Sequence, residues 1–181
     1  MTPSIESALA EARAAAPVGV VVLDTLTLYH PSFVNEAGEP SPLFLVNNNE
    51  DVVAKLEATA PQFASQWVTF LPIGFNATKP EMKAGAVPMF GVEMDNVGDE
   101  IAEQLERSRF VVPREPVLCT HREYLSTHLS APSYISPYKQ ALSEITTTAT
   151  KVTAKARVTD SANIHFLRSF YTLQQFPGLI R

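Results

Sequence analysis

Trp67-Val68-Thr69-Phe70-Leu71-Pro72-Ile73-Gly74-Phe75 and Met89-Phe90-Gly91-Val92-Glu93-Met94-Asp95 read as two extended segments on either side of a turn region from Lys79 to Gly85. Trp67, the only tryptophan, shares one face of the first with Leu71, Ile73 and Phe75 at a period of two. Phe90, Val92 and Met94 do the same in the second, while Gly91, Glu93 and Asp95 take the opposite, wet face. The simplest arrangement is a hairpin with a long loop, and Trp67, Leu71, Phe90, Val92 and Ile101 are expected in the core. Val97, Ile101 and Leu105 then recur every four residues, with Asn96 as N-cap and Asp99 and Glu100 in the first turn, where carboxylates suit the positive end of the helix dipole. A short amphipathic helix near residues 98–108 therefore packs on the sheet.

Outward from this unit, Thr2 caps and Pro3 opens an N-terminal helix whose Ile5, Ala8, Leu9 and Ala12 share a face until Pro17 ends it. It is short and Ala-rich, so it needs a surface to hold it. Val18 to Tyr29 is a Val-, Leu- and Thr-rich strand stopped by His30 and Pro31, with Val18 to Leu23 apolar enough for burial on both faces. Phe33 to Pro42 reads as a surface turn. Leu43 to Val46 is a strand, and Asn47, Asn48, Asn49 and Glu50 a turn, so a hairpin with the next segment is expected. There, Val52, Val53 and Leu56 suit a helix, whereas Val52, Ala54, Leu56 and Ala58 alternate as a half-buried strand; strand is the preferred reading, closed by Pro61. Val117 to Tyr124 is a strand of poor alternation. Leu125 to Pro137 is a Ser- and Pro-rich loop long enough to lie across another subunit. Tyr138 to Ile145 and Thr150 to Val158 make two strands about a Thr-rich turn. In the second, Val152, Ala154, Ala156 and Val158 oppose Lys151, Thr153, Lys155 and Arg157, a basic wet face. The tail from Asn163 to Arg181 carries Phe166, Phe170, Tyr171 and Phe176.

A chain of 181 residues suits one domain, and 45% hydrophobic with 18% charged residues excludes disorder. A net charge of −5, with no Lys or Arg run, leaves no footprint for direct or sequence-specific nucleic-acid binding. Cys119 is the single cysteine and cannot close an internal disulfide, which fits a reducing compartment; no Cys and His spacing builds a zinc site. The N-terminus lacks the layout of a secretion signal, and no apolar run approaches the ~18 residues that span a bilayer. No membrane insertion is expected, and assembly is expected in a cytoplasm.

Glu93 and Asp95 lie two apart on one face, but paired carboxylates matter only when a second group converges on them, and a solvated face is the plainer reading. His30, His121, His128 and His165 show no metal-helix spacing and no nucleophile elbow stands beside them. Cys119 with His121 is a possible thiol and base pair, against which a buried small thiol is the simpler reading. Lys151, Lys155 and Arg157 could meet phosphate, form a solvated or edge-protecting face, or meet acids of a neighbour. No catalytic, metal-binding or cofactor-binding residue is assigned.

Several ordered motifs resemble an uncharacterised family of minor tail proteins of long-tailed bacteriophages, encoded near the tape-measure gene. They are Val22-Leu23-Asp24-Thr25-Leu26 followed by His30-Pro31, Val46-Asn47-Asn48 before Asp51, Met94-Asp95-Asn96-Val97 and Tyr124-Leu125-Ser126. Val152-Thr153-Ala154-Lys155-Ala156-Arg157, Phe170-Tyr171-Thr172 and Phe176-Pro177-Gly178-Leu179 complete the set. The resemblance implies a mainly β chain with short helices (α+β), a tail-tube-like β-sandwich with a flanking α-helix. One domain would span residues 1–181: a helical arm over 1–16, a sandwich over 17–160 and a C-terminal extension over 161–181. It further implies a non-enzymatic structural subunit in the virion tail, forming a closed sixfold ring at the distal end of the tube. Its partners would be further copies of itself, the tail tube protein, tip hub proteins and the tape-measure protein. Inter-subunit contacts are expected from Ile5, Leu9, Leu129, Tyr134, Phe170 and Phe176, whose segments carry apolar groups without dense periodic neighbours. A head-to-tail or tail-completion ring subunit, and a small cytoplasmic hydrolase using Cys119 or the Glu93 and Asp95 pair, are the other classes.

Overall fold

The computed structural model describes residues 5–15, 19–35, 38–78, 89–95, 100–112, 115–136, 140–148 and 151–158. Over these the elements are α1 (Ile5–Ala15), β1 (Val22–Tyr29), β2 (Leu43–Val46), β3 (Val52–Lys55), β4 (Trp67–Pro72), β5 (Phe75–Thr78) and β6 (Met89–Asp95). There follow α2 (Glu100–Arg109), β7 (Leu118–Leu125), β8 (Tyr134–Ile135), β9 (Gln140–Thr147) and β10 (Lys151–Val158). The chain is mainly β with short helices, as expected. Its strands form one open mixed sheet in the order β3-β4-β2-β1-β7-β9-β10-β6-β5, with β8 on β7 off that path. β2 runs parallel to β4, and the other pairings are antiparallel.

Register decides which side chains share a face. Leu26 stands opposite His121 and Leu45, and Leu28 opposite Cys119 and Leu43. This face continues through Leu142, Ala154, Val92 and Phe75 into one apolar core, capped by Ile101 and Leu105 of α2 and by Phe33. Phe90 on β6 and His121 on β7 have ring centroids 5.4 Å apart although β9 and β10 lie between their strands. The sheet is therefore strongly coiled, the direction in which β-strand twist accumulates. The other face carries a second core: Leu23, Val46 and Tyr124 pack with Val52, Ala54, Leu56, Val68 and Phe70. Burial of each large apolar side chain contributes about 1.5–3 kcal/mol.

Of the strand read over Val52 to Ala58, only Val52–Lys55 form β3, where Val52 and Ala54 are buried and Val53 is exposed; the chain leaves the strand at Leu56, and Ala58 is exposed in a turn rather than buried. The alternation of Val152, Ala154 and Ala156 is as read. Four further expectations need correction. Trp67 and Leu71 are exposed at 56% and 39%, and Val68 and Phe70 point inward instead. Both phases of this strand are apolar, so period alone does not choose, and Tyr124 and Phe44 supply the ring contacts that take Phe70. The hairpin onto β6 is made by β5 alone, because β4 is taken up between β3 and β2 at the other end of the strand order. β2 and β3 are not a hairpin, since β4 inserts between them. Phe33 is fully buried rather than part of a surface turn, and Gln104 of α2 clamps the next residue, its Nε2 donating to the Val34 carbonyl at 2.8 Å.

The loop after β7 folds back on its own strand. Ser126 N–H donates to the Val21 carbonyl, Ser133 N–H to that of Glu123 and Ser136 N–H to that of His121, at 2.8, 2.8 and 2.9 Å.

Candidate functional site

β7 reads Leu118-Cys119-Thr120-His121-Arg122-Glu123-Tyr124-Leu125, and the poor alternation has a cause: Cys119 and His121 through Leu125 are all buried. The strand lies between β1 and β9 with both faces covered. Three consecutive ionisable residues in such a place must each find a partner on their own face, because an unpaired buried charge costs several kcal/mol.

Arg122 shares its face with Thr25 and Thr27. Its Nε and Nη2 donate to the two carboxylate oxygens of Glu57 at 2.8 Å each, and Nη1 donates to Thr27 Oγ1 at 2.8 Å. Burial alone would push the Glu57 carboxyl up; the Arg122 hydrogen bonds, a backbone hydrogen bond and the guanidinium charge outweigh this and hold it below its ordinary value. Beside this pair opens a pocket of about 370 Å³ lined by β1, β2, β7 and the segment after β3, including Tyr29, Phe44, Leu56, Pro61 and Leu118. Gln140, 1% exposed, also lines it, and its Oε1 has no hydrogen-bond partner among the described residues.

On the opposite face, Asp24 stands across from Glu123 and two residues from the His121 position. His121 Nε2 and Asp24 Oδ1 are 3.0 Å apart, and Arg13 of α1 donates to the buried Glu123 carboxylate. The ligand atoms of Asp24, His121 and Glu123 lie within 4.8 Å of one another, close enough for a cation. With the Arg13 guanidinium already seated on Glu123 and His121 engaged by Asp24, the group is satisfied as an ion-paired network that fastens α1 to the sheet.

The residues singled out from sequence fall as follows. Lys151 and Lys155 are exposed and each meets an acid of its own chain: Lys151 Nζ to Glu93 Oε1 and Lys155 Nζ to Glu144 Oε2, both at 2.6 Å. Contact with Glu93 raises the Lys151 pKa. Glu144 reaches Lys155 from a left-handed backbone (φ 53°) where β9 carries an extra residue against β10, a bulge that re-aims the side chain. β10 is an interior strand, so its cations do not guard an edge, and the side chain of Arg157 lies outside the described residues. Glu93 faces solvent with Lys151, as a wet face would. Cys119 is a buried thiol whose pKa burial pushes up to about 12, which leaves no thiolate for attack at neutral pH. His30 is buried against Ser32 and Phe33, and His128 pairs with Ser130 in the open.

Of the expected contact residues, Leu9 is buried within its own chain, Leu129 packs on the second core, and Tyr134 is partly exposed beside His121. The side chain of Ile5, with Phe170 and Phe176, lies outside the described residues. What sequence reasoning missed is Arg122, Glu57, Asp24, Glu123 and Arg13. The available signal was the run His121-Arg122-Glu123 inside a strand.

An open, coiled mixed sheet with two short helices defines a mainly β protein. The chain belongs to the family described as Domain of unknown function (DUF1833), whose profile matches residues 8–171. No curated protein matches it.

Proposed function

We propose that this chain is a structural subunit of a bacteriophage tail, forming a closed sixfold ring at the distal end of the tail tube and joining the tube to the tip or baseplate hub. The observation that carries the reading is a strip of apolar side chains on the outer face of β3 and β4. Val53 (51% exposed), Trp67 and Leu71 lie there in the open, with Phe63 nearby in sequence and also exposed. A second apolar group, Phe110 and Val112, projects after α2, which caps the other core. Two unlike patches are what a heterologous, head-to-tail contact requires, and such contacts close into rings when the rotation allows. The motif resemblance to minor tail proteins supports the same reading, and supplies the tube, hub and tape-measure proteins as partners in the virion.

The experiment is co-sedimentation of the purified chain with isolated tail tubes. The wild-type chain is expected to pellet with tubes, and Trp67→Glu, which leaves the core untouched, to remain in the supernatant. A wild-type chain that ignores tubes and hub proteins alike overturns the proposal.

A further inference from the structure

We infer that Trp67 of one copy of this chain inserts its indole into the pocket beside Arg122 and Glu57 of another copy and donates its Nε1–H to the Gln140 side chain. The inference rests on the reading of the chain as a self-assembling subunit, and names the contact between neighbours. Its first support is the chemistry of the pocket. The cavity of about 370 Å³ is at the small end of the range of about 300–1,000 Å³ typical of ligand sites, and Phe44, Leu56, Pro61 and Leu118 give it apolar walls. Thr59, Pro61 and Leu118 are exposed, so its mouth is open to an entering group. Its unmet polar requirement lies at Gln140: Nε2 donates to Ser136 Oγ at 3.4 Å, while Oε1 is buried with no hydrogen-bond partner among the described residues. Leaving a buried acceptor unsatisfied is costly. Arg122 is committed to Glu57 and Thr27, so a charged occupant would lose its hydration and gain no counter-charge. The fitting occupant is neutral, with an apolar body and one donor.

The second support is that Trp67 is such a group and stands uncovered. An indole is a large apolar ring with one N–H donor and no acceptor. Trp67 is 56% exposed at the first position of β4, across from Lys55 of β3, in the outermost strand pair at one end of the sheet. The exposed aliphatic and phenylalanine side chains bring no donor, and Tyr134 is packed on the His121 ring with centroids 6.1 Å apart. Trp67 does not line the pocket of its own chain, so donor and acceptor meet only between copies. Tryptophan is among the residues that anchor interfaces by filling a desolvated pocket on the partner. Insertion covers the ring and satisfies Gln140 in one step. Each copy then gives one anchor and receives one through a different surface, the layout of a heterologous contact.

The test uses two full-length variants, each lacking one half of the contact. Trp67→Ala keeps the pocket and carries no tryptophan, and Leu118→Glu keeps Trp67 and places a charge at the pocket mouth. In sedimentation, wild type is expected to associate as concentration rises, each variant alone to stay monomeric over that range, and their equimolar mixture to form a 1:1 dimer. Titrating Leu118→Glu with Trp67→Ala should move the tryptophan emission to the blue and shield it from acrylamide, since only the donating copy carries the fluorophore. Trp67→Phe, which keeps an apolar ring without the donor, should associate about tenfold more weakly than wild type. Circular dichroism checks the fold of each variant, and Pro61→Glu at the same mouth replaces Leu118→Glu if the latter misfolds. A wild-type chain monomeric at every concentration, variants that associate as wild type does, a mixture of folded variants that stays monomeric with unchanged emission, or Trp67→Phe as tight as wild type would each overturn the inference. Association that survives both variants while the chain still pellets with tail tubes would reject this contact and leave the ring standing; a chain that ignores tubes would reject the ring on its own.

Discussion

Arg122 on β7 and Glu57 in the segment after β3 are joined by two parallel hydrogen bonds of 2.8 Å, and neither side chain has much contact with water. The pair ties the centre of the sheet to the outlying β3 and β4 unit across the second face. Bidentate geometry makes this the strongest form of ion pair, yet its desolvation offsets much of the attraction.

Breaking it one partner at a time should therefore be worse than removing both. Arg122→Met or Glu57→Leu alone is expected to cost about 3–5 kcal/mol by stranding a buried charge, and the double substitution should recover most of the loss. Urea unfolding of the three variants checks this; additive losses would contradict it.

The same pair sets an acid limit. The Glu57 carboxyl sits below its ordinary 4.5 in the folded chain. Its contribution is complete above that value, where the unfolded carboxyl is also ionised, and is lost as pH falls through the lower folded value. The stability difference between wild type and Glu57→Gln should thus be constant above about pH 5 and shrink below it. A difference that persists unchanged to pH 2 would count against the assignment.

At the alkaline end Cys119 takes over. An unfolded thiol ionises near 9.0, whereas the buried one stays protonated to about 12. Its contribution is present below pH 9 and declines between 9 and 12 as the unfolded state alone gains charge. Thiol alkylation at neutral pH is expected to proceed only at the rate of unfolding, and Cys119→Ala should flatten the alkaline loss. Rapid labelling of the native chain would show the thiol to be reachable.

Trp67→Ala should shift the stability of the isolated subunit by less than about 1 kcal/mol, because the ring is more than half exposed. As the only tryptophan, it should fluoresce as a solvated indole, open to acrylamide quenching, in the free subunit, and become shielded on assembly. Shielded emission from the monomer would place the ring in the core after all.

Much of the fold was legible because several elements have one clearly apolar face. Val152, Ala154 and Ala156, Phe90, Val92 and Met94, and the Ile101 and Leu105 pair of α2 are buried as their periods imply. The failures share a cause, which is that local pattern carries no information about strand order. Trp67-Val68-Thr69-Phe70-Leu71 is apolar in both phases, and only the arrival of Tyr124 and Phe44 from other strands selects Phe70. The candidate site was less legible still. Arg122 finds Glu57 across 65 residues, and Asp24 meets His121 across 97. Such pairs leave only an indirect trace in sequence, here a strand with three adjacent ionisable residues where alternation fails.

The central claim, a ring subunit at the distal end of a tail, is tested most directly by imaging. Tails assembled with the subunit epitope-tagged and antibody-decorated should show label confined to one level at the end of the tube remote from the head, with six copies around the axis. Label along the whole tube, at the head-proximal end, or absent from purified tails that are otherwise complete would contradict the account.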